Sequence, residues 1–260
     1  MLLNIKEIQR YGSDMLRAIS DICERNHIRW FMAYGSVLGA IRHSGPIPWD
    51  YDIDIYVPES DLKTFLHALE RELPSNYWID YRNNTTSPRA FPRIGLKGYE
   101  TEILHIDVYR LGGLPEDPKK LKRFTHYSRF LFVTWKSKTL DINHYYPDFK
   151  RRFVSKTVKC LTCFIPLKTI VYLLDKQACR IPFDQAKIVA SPLTTMSRKR
   201  MHDRTIFSES ILVKYEDFLV RVPKKYEQYL ETQFGNWREL PPIEEREKEL
   251  SQTYEVREIR

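Results

Sequence analysis

Long apolar runs are missing from this chain of 260 residues. The longest, from Cys160 to Leu174, is interrupted by Pro166 and Lys168. It is shorter than the roughly 20 apolar residues that span a bilayer. The first ten residues, M-L-L-N-I-K-E-I-Q-R, lack the apolar centre of a secretory leader. Cysteine is scarce, and Cys23, Cys160, Cys163 and Cys179 make no dense disulfide framework. These absences lead to the expectation of a cytosolic protein, at most peripheral at the inner face of a membrane. Internal repeats, low-complexity segments and linkers are also absent. So are helix-turn-helix, zinc-finger and aromatic RNA-binding signatures, which argues against a nucleic-acid-binding module.

What is present suits a soluble globular protein. Hydrophobic residues make up 42% and charged residues 29%, enough for one large or two small cored domains. The net charge of +8 favours anionic partners such as nucleotides or anionic lipid surfaces, or it is simply a solvated basic surface.

The stretch from Tyr34 to Val57 carries the chemistry. It reads Y-G-S-V-L-G-A-I-R-H-S-G-P-I-P-W-D-Y-D-I-D-I-Y-V. Asp50, Asp52 and Asp54 recur at every second position. On a strand, Asp52 and Asp54 share one face, while Ile53, Ile55 and Val57 point into a core. Adjacent like charges repel, and a divalent cation such as Mg²⁺ relieves them while leaving room for phosphate oxygens. Asp50 is a further metal ligand or a turn cap. A second apolar strand, expected over Glu102 to Leu111, carries Asp107 in its middle, where propensity alone disfavours it. Three acids from two strands can hold two Mg²⁺ or Mn²⁺ ions and serve phosphoryl transfer. Ahead of the acids, Gly35 and Ser36 form a turn that lets backbone approach a phosphate. The helical turn from Val37 to Arg42 presents N–H groups to an anion, and Arg42 is a candidate donor-phosphate contact. Arg93 and Lys97, an even number of positions apart, are expected on one strand face as phosphate contacts. His105 shares the face of Asp107, either as a proton relay or as a hydrogen-bonded core residue.

The acidic segment resembles the signature of the LicD family, which includes the fukutin-related proteins. H-I-D-V-Y resembles that family's second acidic strand, and the stretch from Val213 to Pro242 its C-terminal block. The resemblance covers Met1 to about Leu111 and about Ile211 to Arg246. It implies an α+β, nucleotidyltransferase-like fold with a mixed sheet, flanking helices and an appended helical C-terminal part. It also implies transfer of a phosphoryl-alcohol group (phosphocholine, ribitol phosphate or glycerol phosphate) from a CDP-linked donor to a hydroxyl of a cell-surface glycan, possibly lipid-linked. By position, Asp52, Asp54 and Asp107 match the family's carboxylates, and Gly35 and Ser36 its donor turn; Asp52 and Asp54 are expected to hold the metals, and Asp107 to help or to act as general base on the acceptor hydroxyl. Many bacterial members have three consecutive acids where this chain has Asp50, Tyr51 and Asp52, a variant that resembles the fukutin-related branch. The same acids also suit a nucleotidyltransferase that moves a nucleoside monophosphate from a triphosphate.

The rest of the chain frames this site. Ile5, Ile8, Met15, Ile19 and Ile22 predict an amphipathic helix over 3–26, and Ile28 to Tyr34 a first strand. Ser60 is expected to cap a helix carrying Leu62, Phe65 and Leu69. Gly112, Gly113 and Pro115 predict a loop, taken as the boundary between a catalytic core (1–112) and a C-terminal part (113–260). Asn83 to Pro88 reads as a polar loop, and Ser197 to Arg204 as a basic patch facing donor phosphates, acceptor or solvent. Residues 148–180 read as largely helical with a break near Pro166. There Lys150, Arg151, Arg152, Lys156 and Lys159 alternate with Phe153, Val158, Leu161 and Phe164. Three readings stand for this segment: an amphipathic packing helix, a glycan-binding face, or a surface that rests on an anionic membrane. Cys160 and Cys163 are expected to be buried thiols; a zinc site would need two more ligands, for example Cys179 and His202.

Overall fold

The computed structural model describes residues 2–81, 89–99, 103–145, 148–192, 198–250 and 253–255. The polar loop expected over Asn83 to Pro88, Glu102 at the start of the second acidic strand, and Ser197 in the basic patch lie outside them. In chain order the first half contains β1 (Leu2–Asn4), α1 (Ile5–Arg25), β2 (Phe31–Met32), α2 (Tyr34–His43), β3 (Ile53–Pro58) and α3 (Leu62–Glu72). Then come β4 (Tyr77–Asp80), β5 (Arg93–Leu96), β6 (His105–Leu114), α4 (Pro118–Thr139), α5 (Ile142–Tyr145), α6 (Phe149–Leu161) and α7 (Leu167–Ala178). The chain closes with β7 (Ile188–Ala190), β8 (His202–Asp203), β9 (Ser210–Tyr215), β10 (Phe218–Pro223), α8 (Tyr226–Phe234), α9 (Ile243–Leu250) and β11 (Thr253–Glu255). The architecture is α+β, as the sequence implies.

The central sheet has the strand order β2-β3-β6-β5-β4, and β7 and β8 extend it from the far half of β6. Only β3 and β6 run parallel in this sheet; the other pairs are antiparallel. The hydrophobic pattern explains the assembly. α1 opens with a capping box, in which Asn4 accepts from the Glu7 N–H and Glu7 accepts from the Asn4 N–H. Its buried stripe (Ile5, Ile8, Met15, Leu16, Ile19, Ile22) faces the core at the expected spacing. Alternation on β3 buries Ile53, Ile55 and Val57.

Four sequence expectations change. The strand expected over Ile28 to Tyr34 shortens to Phe31–Met32, because Tyr34 already begins α2. Gly35 and Ser36 therefore stand in the first turn of that helix. Asp61, not Ser60, precedes α3; the Ser60 hydroxyl instead bonds Asp184 at 3.0 Å. Gly112 and Gly113 lie inside β6, paired with Ala190 and Val189 of β7. They are small for a packing reason, since a Cβ on Gly112 would stand 2.4 Å from the Ala178 carbonyl oxygen. The C-terminal part thus continues the sheet, and one buried cluster runs from Met15 through Phe183, Tyr215 and Tyr229 to Trp237. Finally, α4 went unread beyond its basic start. Its N-terminus was legible in Asp117, which accepts from the Lys120 N–H at 2.8 Å, and in Pro118 at the first helical position.

His202 on β8 lies against the Tyr229 ring at 4.8 Å and the Phe207 ring at 5.8 Å and is 2% exposed. Burial lowers its pKa from 6.5 to about 4. A depressed histidine pKa means that the folded state resists protonation. The stability tied to neutral His202 is complete above the unfolded pKa and is lost as pH falls from about 6.5 towards 4. The expected loss between pH 7 and pH 5 is about 2 kcal/mol. Urea unfolding of the wild type and of His202→Gln at both pH values checks it: the variant should lose markedly less over that interval.

Candidate active site

The site is built where β3 and β6 run side by side. Asp54 on β3 is in register with Asp107 on β6, and Asp107 with Arg93 on β5. Registered residues on neighbouring strands share a face, so one row across the sheet reads Asp54, Asp107, Arg93. Asp52 stands just ahead of β3 and is exposed. Two of the three acids are under charge stress. Burial, then repulsion from Asp107, Asp52 and Asp50, raises Asp54 well above the usual carboxylate range, and Arg200 partly offsets this. Although solvent reaches Asp52, partial desolvation by the protein around its carboxyl and then the charge of Asp50 push it up to about 6, with Asp107 adding to the repulsion.

Asp107 differs. Burial acts to raise it, but hydrogen bonds and charge from His105 and Arg93 outweigh burial and hold it below its ordinary value. Arg93 Nε donates to Asp107 Oδ1 at 2.6 Å, His105 Nε2 lies 3.3 Å from the same oxygen, and Tyr109 Oη donates to Oδ2 at 3.2 Å. The sequence reading placed Arg93 and His105 near this acid but missed Tyr109. Its signal was available: two positions beyond Asp107 on one strand, it had to share that face.

Asp50 acts as a turn cap. Its Oδ1 accepts from the Asp52 N–H at 3.2 Å, and its carbonyl accepts from Gln9 Nε2 at 2.7 Å. Its Oδ2 lies 3.2 Å from where a Gly35 Cβ would stand, which explains the glycine there. Tyr51 turns away into a separate cluster with Leu3, Ile8 and Leu104.

The first turn of α2 is held against β3. The Asp54 N–H donates to Ser36 Oγ at 2.8 Å, and the Ala33 N–H to the Asp54 carbonyl at 2.9 Å. Tyr34 takes a left-handed backbone with φ 44°, strained for a bulky residue. Its N–H donates to Tyr229 Oη at 2.8 Å, and its ring meets Tyr56 at 5.1 Å and Tyr109 at 5.3 Å edge-on. The Arg200 guanidinium lies over that ring at 4.8 Å. Arg200 is thus the member of the basic patch that faces the acids. Nothing in the sequence signals the Tyr34–Tyr229 contact: Tyr34 reads as the end of a strand and its partner lies far along the chain.

The remaining expected phosphate contacts lie elsewhere. Arg42 Nη1 donates to the carbonyls of Trp237 at 2.8 Å and Glu239 at 3.1 Å, clamping the C-terminal segment onto α2. Lys97 follows the end of β5 and lines a cleft of about 770 Å³ with Lys63, His67, Glu70 and Trp78, without any of the three acids. Among the described residues no three His, Cys, Asp or Glu side chains form a ready-made metal cage. The thiols of Cys160 and Cys163, expected to be buried, are instead exposed at the end of α6, where few apolar side chains are covered.

Ser36→Ala removes the acceptor of the Asp54 N–H beside the site. A loss of roughly 1–3 kcal/mol in unfolding free energy is expected. Denaturant melts at constant pH measure it, and an unchanged midpoint contradicts the positioning role.

Over 258 residues the chain is 23% identical to the lipopolysaccharide cholinephosphotransferase LicD of Haemophilus influenzae, covering 94% of each protein. A shorter stretch of 88 residues is 28% identical to an uncharacterized protein of Rickettsia typhi and covers 30% of this chain and 28% of that one. Residues 27–160, which hold all three acids, match the family described as LicD/FKTN/FKRP, nucleotidyltransferase domain, and the chain belongs to that family.

Proposed function

We propose that this protein is a metal-dependent phosphotransferase. It moves a phosphoryl-alcohol group, phosphocholine being the first candidate, from a CDP-linked donor to a sugar hydroxyl of a glycan and releases CMP. The observation that carries the reading is the row of Asp54, Asp107 and Arg93, with Asp52 and Asp54 both driven above their ordinary pKa. Family membership and the relative's cholinephosphotransferase name support it.

Asp52 and Asp54 are the residues that would hold Mg²⁺ or Mn²⁺. The fit lies in charge that is only partly offset, since the nearby guanidinium and imidazole bond Asp107 and Arg200 relieves Asp54 only in part. Mg²⁺ characteristically takes one or two carboxylates and completes its shell with water and substrate phosphates, so two acids suffice. When bound, the metal neutralises the donor diphosphate and the charge that develops on the departing CMP.

The acceptor hydroxyl oxygen forms a bond to the phosphorus bearing the alcohol, and the bridging P–O bond to CMP breaks. The hydroxyl proton passes to solvent, as a loose transition state requires little prior deprotonation. A carboxylate held firmly ionised is a poor proton acceptor, so Asp107 orients Arg93 and His105 rather than serving as the base. Arg93 and Arg200 supply fixed positive charge on the two flanks of the acids. Gly35 and Ser36 hold the first turn of α2 close to Asp50 and Asp54.

CMP release is to be followed with CDP-choline, CDP-ribitol and CDP-glycerol, each with a glycan acceptor and Mg²⁺ or Mn²⁺. One donor should turn over. Asp52→Asn and Asp54→Asn should each lower kcat at least about 10³-fold while melting like the wild type. Near-normal turnover in either variant contradicts the assignment. Release of pyrophosphate from a nucleoside triphosphate, with no CMP from any donor, would replace the reading with nucleotidyl transfer.

A further inference from the structure

We propose that α6 and the turn into α7 form a docking surface for an anionic membrane. The observation is a helix whose apolar side chains face away from the protein. Within α6 only Ser155 is buried. α6 does pack on α4, but most of its apolar side chains take no part in that contact. Phe149 is 72% exposed, Phe153 62%, Leu161 67% and Phe164, just past the helix, 77%. At about 3.6 residues per turn, Phe149, Phe153, Val154 and Leu161 fall on one arc centred roughly opposite Ser155. The Phe149 and Phe153 rings stack on each other at 6.4 Å at the surface.

Charge chooses the occupant. Between Asp148 and Lys168 the chain carries Lys150, Arg151, Arg152, Lys156, Lys159 and Lys168, against Asp148 alone. Asp148 is already engaged as the cap of α6, accepting from the N–H groups of Lys150 and Arg151. On the helix, Lys156 and Arg152 border one side of the apolar arc and Arg151 the other, while Lys150 stands within it in the first turn. Aromatic residues flanked by cations on one exposed face match the interface of an anionic bilayer, where rings enter the headgroup boundary and cations meet lipid phosphates. A second copy of this chain would bring the same cations against each other, which disfavours self-association through this face. A polyanionic glycan would satisfy the cations but leave the phenylalanines in water.

The helices beneath connect to the active site through packed side chains. α6 packs on α4, and α4 packs on α7 through Leu131, Trp135, Ile170 and Leu174. Trp135 meets Phe91 at 6.0 Å, Phe91 meets Tyr109 at 4.8 Å, and Tyr109 bonds Asp107. Among the described residues no helix is long and apolar enough to cross a membrane, so the proposed contact is peripheral.

The test is co-sedimentation of the full chain with vesicles of phosphatidylcholine alone or mixed with phosphatidylglycerol. Two variants accompany it: Phe149→Ser/Phe153→Ser/Leu161→Ser/Phe164→Ser, and Lys150→Gln/Arg151→Gln/Lys156→Gln/Lys159→Gln. Wild type should partition at least tenfold more strongly onto the phosphatidylglycerol vesicles, and each variant should lose at least tenfold. A Phe153→Trp reporter should shift its emission to the blue on those vesicles alone. Thermal melts confirm folding, since the substituted side chains are exposed. Equal binding to both vesicle types, or undiminished binding by the serine variant, overturns the proposal. So does wild-type self-association in sedimentation velocity that the serine variant abolishes, without vesicle binding. Binding to a soluble polyanion that only the glutamine variant loses, again without vesicle binding, overturns it as well.

Discussion

The parallel pairing of β3 with β6 sets Asp54 directly beside Asp107 inside the sheet, and much of the surrounding structure answers that arrangement. Like charges a strand apart in a partly buried row repel, and proteins meet such repulsion with counter-charges, protonation or bound cations. Here the relief is unequal. Arg93, His105 and Tyr109 converge on Asp107, while Asp54 and Asp52 are left with raised pKa values. The asymmetry divides the acids by role: one organises the basic groups around it, and two carry the negative charge that the proposed cations would meet.

The C-terminal part matters to this site as much as the acidic segment does. Tyr229 on α8 accepts from the strained Tyr34 N–H, Arg200 lies over the Tyr34 ring, and Arg42 clamps the carbonyls of Trp237 and Glu239. Strain at Tyr34 persists because neighbours distant in sequence hold it from several sides. The first turn of α2, and with it Ser36 and the Asp54 backbone, is therefore fixed by contacts nearly 200 residues away along the chain.

How much of this was legible in the sequence varies with the range of the interaction. The alternation of Asp52 and Asp54 with Ile53 and Ile55 announced a strand with an acidic face, and Asp107 stood out against its apolar neighbours. The helix over 5–25 followed from periodicity. Local patterns fail where partners are remote. Gly112 and Gly113 read as a loop, whereas their smallness answers the backbone of Ala178 and the side chain of Ala186. Arg42 carried the look of a phosphate ligand, and its carbonyl partners lie far along the chain. Lys97 had the right parity, but its strand ends one residue earlier. For α6, composition revealed aromatics and cations; only the packing could show which of them the protein leaves uncovered.

The central claim is that Asp52 and Asp54 carry charge made to be met by a divalent cation. Isothermal titration of Mn²⁺ into the full chain with CDP present, at neutral pH, measures that most directly. The account predicts saturable binding by the wild type, binding of comparable strength by Lys97→Gln, and at least tenfold weaker binding by Asp54→Asn. Equal Mn²⁺ affinity in the wild type and Asp54→Asn would contradict it.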